Sequence, residues 1–142
     1  MSDPFVSQRI VKIEWGDCDP ADIVFYPNYF RWFDASTAHH FEAAGLPKPE
    51  LIRRYGVVGF PMVDTSAKFH IPNRHGDEVL IETTITQFGT ASFSIEHRLL
   101  REGKISVEGC EKRVLVKKTE DGGGITSCPI PEEVKSLFSG AL

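Results

Sequence analysis

Between Val6 and Trp15, apolar side chains at Val6, Ile10, Val11, Ile13 and Trp15 mix with Gln8, Lys12 and Glu14 in near alternation, which predicts a half-buried strand. The period then changes. From Asn28 to about Ala44, Tyr29, Phe30, Phe33, Phe41 and Ala44 share one broad face at helical spacing, with Trp32 and Ala35 beside it. So aromatic a face demands burial. Gly45 ends this helix, and Pro47 and Pro49 introduce a shorter one through Leu51, Ile52 and Tyr55 to Gly56.

Four β-like runs follow, over Val57 to Ile71, Glu78 to Phe88, Ala91 to Leu100 and Lys104 to Lys118, with short turns between them and a last turn at Glu120 to Gly124. Val79, Ile81, Thr83 and Ile85 alternate with Leu80, Glu82, Thr84 and Thr86, and Phe93, Ile95, His97 and Leu99 alternate with Ser94, Glu96 and Arg98. One face of each strand is therefore meant for a core. Pro129 and Pro131 lead into a terminal helix over Glu132 to Phe138. The pattern is α+β, and its simplest packing wraps an antiparallel sheet around the long helix.

The 142 residues suit one domain, residues 1–142, with 41% apolar and 25% charged side chains. A net charge of −4 argues against a nucleic-acid partner, which needs a basic face. Cys18, Cys110 and Cys128 form no C-x-x-C pair, so neither a disulfide framework nor a zinc site is expected. His39 and His40 are adjacent on the helix and cannot face one ligand, so no metal is expected there. No apolar run is long enough to span a bilayer, and Met1 to Pro4 lacks a charged and then apolar signal region. No membrane partner and a cytoplasmic location are the expectation.

Between the first strand and the long helix lies Asp17-Cys18-Asp19-Pro20-Ala21-Asp22, where three carboxylates crowd one loop. Such charges repel unless they are solvated, paired or placed beside a positive end of backbone. Pro27 suits the first turn of a helix and leaves free N–H groups beside the loop, where an anion or oxyanion could sit. An N-capping turn with acidic residues complementing the helix dipole fits the same spacing. From the residues alone Asp17, Asp19 and Asp22 are equal candidates for chemistry.

The stretch DCDPADIVFYPNYFRWFD resembles the N-terminal signature of hotdog-fold acyl-CoA thioesterases of the 4-hydroxybenzoyl-CoA thioesterase group, close to D-x-D-x-x-G-I-V-x-Y-x-x-Y. The likeness continues through Gly59-Phe60-Pro61, Phe69 to Pro72, Gly76-Asp77 and Gly89 to Phe93. It implies the hotdog fold, hydrolysis of a short or aromatic acyl-CoA, no cofactor beyond the coenzyme A of the substrate, and a homodimer or homotetramer with sites at the subunit interface. Asp22 stands where the family usually has glycine, and tolerates a left-handed backbone while adding a charge.

By this resemblance Asp19 is the catalytic carboxylate, as nucleophile or as base for water, and the backbone N–H of Tyr26 polarises the thioester carbonyl. Asn28 is a candidate for positioning water. Asp34 falls near the acyl ring, where it would read a phenolic hydroxyl; a surface aspartate pairing with Arg31 or His39 is the competing reading. Phe60 and Pro61 would line the acyl pocket, or pack as core beneath a turn. Gly89, Thr90 and Ser92 would hold pantetheine or phosphate, or form an ordinary β-turn, and Gly89-Thr90-Ala91 replaces the basic triplet of the 4-hydroxybenzoyl enzyme. Asp22 and that missing triplet motivate an alternative, a non-catalytic acyl-thioester binding protein of the same fold. A hydratase of this fold would want histidine where Tyr26 stands.

Overall fold

The computed structural model describes residues 3–139, arranged as β1 (Val6–Lys12), α1 (Pro27–Ala43), α2 (Lys48–Tyr55), β2 (Met62–Phe69), β3 (Glu78–Phe88), β4 (Ser92–Arg101), β5 (Lys104–Val114), β6 (Val116–Lys118), β7 (Ile125–Ser127) and α3 (Glu132–Ser139). The first five strands form one antiparallel sheet in the order β1-β3-β4-β5-β2, and β6 pairs with β7. One face of the sheet packs on α1, the hotdog arrangement. The alternation in β3 and β4 holds: Val79, Ile81, Thr83, Ile85, Phe93, Ile95, His97 and Leu99 are all buried. No helix among the described residues is long and apolar enough to cross a membrane.

Two expected strands are shorter than their apolar runs. Residues 57–61 precede β2 as a crossing held by a bridge between Gly59 and Val116 and by the Val114 N–H on the Pro61 carbonyl, while Pro61 itself cannot donate to a ladder. The run over Lys104 to Lys118 divides at Leu115, whose N–H turns to the Ala91 carbonyl while its own carbonyl accepts from Cys128. β6 then pairs with β7, a strand its glycine-rich approach concealed.

The buried stripe of α1 is Tyr29, Trp32, Phe33, Ser36, Thr37, His40 and Phe41. Three polar residues therefore occupy it, and Phe30 and Ala35 are displaced toward solvent. Each polar member has a partner. Ser36 donates to the Trp32 carbonyl and accepts from Arg9, Thr37 donates to Glu111, and His40 Nδ1 lies 2.6 Å from Ser7 Oγ. Burial lowers the His40 pKa to about 4, with His97 and His39 adding to the effect, so the ring is neutral as it stacks on Phe138 of α3.

Two apolar clusters flank these polar groups. Tyr29, Trp32, Phe33, Ile81, Leu99 and Val107 pack toward the start of α1, and Phe41, Phe60, Ile85, Phe93, Ile95 and Phe138 toward its end. Thr37, Thr83, His97 and Glu111 lie between. Gly109 opposes His97 in the sheet, and the Phe33 ring stacks on His97 with centroids 4.8 Å apart. A Cβ at Gly109 would lie 2.5 Å from Phe33 Cε2, so only glycine allows this approach. Gly109→Ala is expected to destabilise the fold by about 2 kcal/mol through overpacking, measured as a lower urea midpoint with an unchanged slope.

Candidate active site

β1 delivers the chain into a single 3-10 turn, Trp15–Asp17, and Cys18 then bridges to Val24 to close the acidic loop. Inside the loop Asp19 N–H donates to the Ile23 carbonyl, and Asp22 N–H to the Asp19 carbonyl. The turn needs left-handed backbone at its fourth residue from Asp19, and Asp22 supplies it with φ of 64°. The loop is pinned from below by Asn73. This fully buried residue accepts from the Val24 N–H through its backbone carbonyl and donates through Nδ2 to the Tyr29 hydroxyl and to Ser106.

The three carboxylates are thus not equivalent. Asp17 accepts from the Glu14 N–H at 2.9 Å and pairs with Arg31 at 3.2 Å, while its carbonyl holds the Phe25 N–H and the Asn28 side chain. It is committed to building the loop, and Asn28 with it. Asp19 accepts from the Ala21 N–H through Oδ1 at 2.8 Å and makes no ion pair among the described residues. Asp22 accepts at its backbone carbonyl from Arg74 at 3.3 Å, and its side chain has no hydrogen-bond partner among the described residues. Asp19 and Asp22 line a pocket of about 330 Å³ with Trp15, Cys18 and Pro20. Cys18 hydrogen-bonds to no histidine among the described residues; its Sγ donates to the Glu14 carbonyl.

Next to the loop, Tyr26 caps a 17-residue helix with Pro27 in its first turn. Asn28 N–H donates to Phe25 and Tyr29 N–H to Tyr26, but the Tyr26 N–H donates to no backbone or side-chain group among the described residues. A free N–H at the positive end of a long helix can stabilise an oxygen that gains charge. The Tyr26 side chain is exposed and meets Phe69 edge-on, next to an apolar pocket of about 190 Å³ lined by Tyr29, Phe69 and Ile71 among others.

The other predicted residues lie away from this loop. Asp34 pairs with neither Arg31 nor His39: Arg31 is on Asp17, His39 faces the Gln8 carbonyl, and Asp34 accepts from Arg113 at 2.7 Å. Phe60 is core, stacked on Phe41, and Pro61 is exposed. Gly89 N–H donates to the Ser92 carbonyl in a tight turn, and Ile130 N–H donates to the Thr90 carbonyl. This turn adjoins Phe93 at the far end of α1, roughly 25 Å along the helix from Tyr26. One chain does not bring Asp19 and Gly89, Thr90 and Ser92 to a common pocket.

A family model described as the thioesterase-like superfamily matches residues 13–138. The chain belongs to that superfamily. It is 34% identical over 133 residues to the 4-hydroxybenzoyl-CoA thioesterase of Pseudomonas sp. strain CBS-3, covering 90% of this chain and 94% of that one. Among solved structures, a 4-hydroxybenzoyl CoA thioesterase with an Asp-to-Asn substitution, complexed with 4-hydroxybenzoyl CoA, superposes with a TM-score of 0.86 at 33% identity, covering 94% and 99% of the two chains. A gentisyl-coenzyme A thioesterase superposes with a TM-score of 0.79 at 35% identity, covering 93% and 98%. This chain of the thioesterase-like superfamily is accordingly a thioester hydrolase.

Among the described residues no group of three or more His, Cys, Asp or Glu side chains is placed to hold a metal ion. Sequence reasoning missed Glu111 and Arg113. Their signal was parity: both fall on the inward side of β5, alternating with Glu108, Cys110 and Lys112. The alternation puts Trp15 on the first strand, yet it lies beyond β1, 74% exposed and edge-on to His75 at the pocket rim. Because Asp22 adopts a conformation suited to glycine, Asp22→Gly should change stability by less than about 1 kcal/mol, whereas Asp22→Val should cost about 2 kcal/mol. Urea denaturation of the two variants measures both.

Proposed function

We propose that this thioesterase hydrolyses an aromatic acyl-CoA to the free acid and coenzyme A, with Asp19 as the reacting carboxylate and the Tyr26 N–H as the oxyanion donor. The observation that carries this reading is the division of labour in the loop. Asp17 is paired with Arg31, while Asp19 lines the pocket with no partner for Oδ2 among the described residues, and the Tyr26 N–H at the start of the helix that follows the loop is likewise unpaired. The aromatic class is supported by relatives that act on 4-hydroxybenzoyl-CoA and gentisyl-coenzyme A.

In the nucleophilic route Asp19 Oδ2 bonds to the thioester carbon, the carbonyl oxygen becomes an oxyanion at Tyr26, and the coenzyme A thiolate leaves as the mixed anhydride forms. Water then cleaves the anhydride, returning Asp19 and releasing the acid. In the general-base route Asp19 takes a proton from water as the water oxygen attacks the same carbon, and the oxyanion then collapses, breaking the C–S bond as coenzyme A leaves as the thiol with that proton. Both routes need the carboxylate and the N–H in the same places.

The site is shared between two copies of the chain in this reading. β2 is a sheet edge exposed over almost its whole length, with Met62, Val63 and Phe69 carrying apolar surface and Tyr26 beside them. Two-fold antiparallel pairing of β2 with itself sets the Met62 end of one copy against the Phe69 end of the other. That pairing carries Phe60, Pro61 and the Gly89–Ser92 end of the second copy toward the Asp19 loop of the first. Asp34, mid-way along α1, would face the acyl ring. The φ of Asp22 removes one ground for a non-catalytic binding role, since the loop keeps its backbone without glycine.

Free-thiol release from benzoyl-, hydroxybenzoyl-, short-chain and long-chain acyl-CoAs tests the reading. The wild type is expected to favour aromatic acyl groups. Asp19→Asn is expected to bind them and turn over at least about a thousandfold more slowly. Equal rates for the two proteins would remove Asp19 from the mechanism.

A further inference from the structure

The geometry points to Arg113 as a positioning residue that holds Asp34 in one orientation, so that a free carboxylate oxygen accepts a hydrogen bond from a neutral hydroxyl on the aryl ring of the substrate. This rests on the reading of Asp34 given above. The Arg113 side chain is only 7% exposed, yet Asp34 is 67% exposed. A buried cation here reaches outward to a surface carboxylate. Its guanidinium donates through Nε to Glu111 at 2.8 Å, through Nη1 to the Phe60 carbonyl at 3.2 Å, and through Nη2 to Asp34 Oδ1 at 2.7 Å.

Two of those three arms stay inside the protein: Glu111 offsets the charge of Arg113 and the Phe60 carbonyl takes a second nitrogen, so charge balance alone does not require Asp34, which takes the remaining nitrogen, Nη2. The third arm instead fixes an exposed side chain that would otherwise sample several rotamers on the helix surface. Glu111 is itself held by Thr37 at 2.7 Å and His97 at 3.0 Å, which makes the guanidinium a rigid fork. Asp34 Oδ2 pairs with nothing among the described residues. Being an acceptor only, it favours a hydroxyl donor over hydrogen and disfavours an anionic ring substituent.

The test compares kcat/KM for the best of 2-, 3- and 4-hydroxybenzoyl-CoA with that for benzoyl-CoA, using the full chain. The variants are Asp34→Ala, Arg113→Lys and the double variant Arg113→Gln with Glu111→Gln, which leaves no unpaired buried charge; thermal melts confirm folding. Arg113→Lys keeps the charge but loses the fork. The hydroxybenzoyl-to-benzoyl ratio should fall about tenfold in all three, whatever loss each variant shows on benzoyl-CoA itself. Adding Arg113→Lys to Asp34→Ala should lower the ratio no further. An unchanged ratio in Asp34→Ala would show that Asp34 does not face the ring, and the underlying reading fails. A fall in Asp34→Ala alone overturns the role of Arg113 while sparing that reading. Equal losses on both substrates, or failure of both Arg113 variants to fold, would make Arg113 a structural residue and overturn the proposal.

Discussion

The Glu111 carboxylate is the constraint on which the rest of the molecule depends. Buried between two apolar clusters, it accepts from Thr37 of α1, from His97 of β4 and from Arg113 of its own strand. Burial alone would raise its pKa, but the hydrogen bonds and charges of His97 and Arg113 outweigh that and hold it below the ordinary carboxylate range. A paired carboxylate in an apolar surround accepts only specific partners, so it selects one height of α1 on the sheet, which purely apolar packing would leave freer to slide.

The height of α1 matters because its start carries the Tyr26 N–H proposed to meet the thioester carbonyl. The Tyr26 N–H and the acidic loop are tied together by short bonds through Asp17, Asn28 and Asn73, so they move with the start of the helix as one body. A further tie is electrostatic. Arg31 on the helix neutralises Asp17, which lowers the repulsion that three adjacent carboxylates would exert and leaves Asp19 as a charge the loop itself does not need. Positioning at the reacting end and anchoring in the core are consequences of one helix placement.

The architecture was legible because β3, β4 and the aromatic helix repeat their periods without ambiguity, and Phe33, Ile81 and Leu99 landed where the alternation put them. The polar middle of the core was not. Ser36, Thr37 and His40 are polar, and a helical face read from apolar residues alone places Phe30 and Ala35 in their stead; only their tertiary partners explain the difference. The acidic loop was visible as a crowd of carboxylates, but its three members separated only when Arg31 and the left-handed Asp22 were in view. The partner of Asp34 was hidden for a related reason: Arg113 is 79 residues away, beyond any helical spacing rule.

The most direct test of this account is the crystal structure of Asp19→Asn with a hydroxybenzoyl-CoA bound. The distance that decides is from the Tyr26 nitrogen to the thioester carbonyl oxygen. The account predicts about 3 Å, with the substituted side chain of the loop against the thioester carbon and a second copy of the chain completing the pocket. A carbonyl oxygen beyond about 5 Å from that nitrogen, with the acyl group bound elsewhere on the protein, would contradict it.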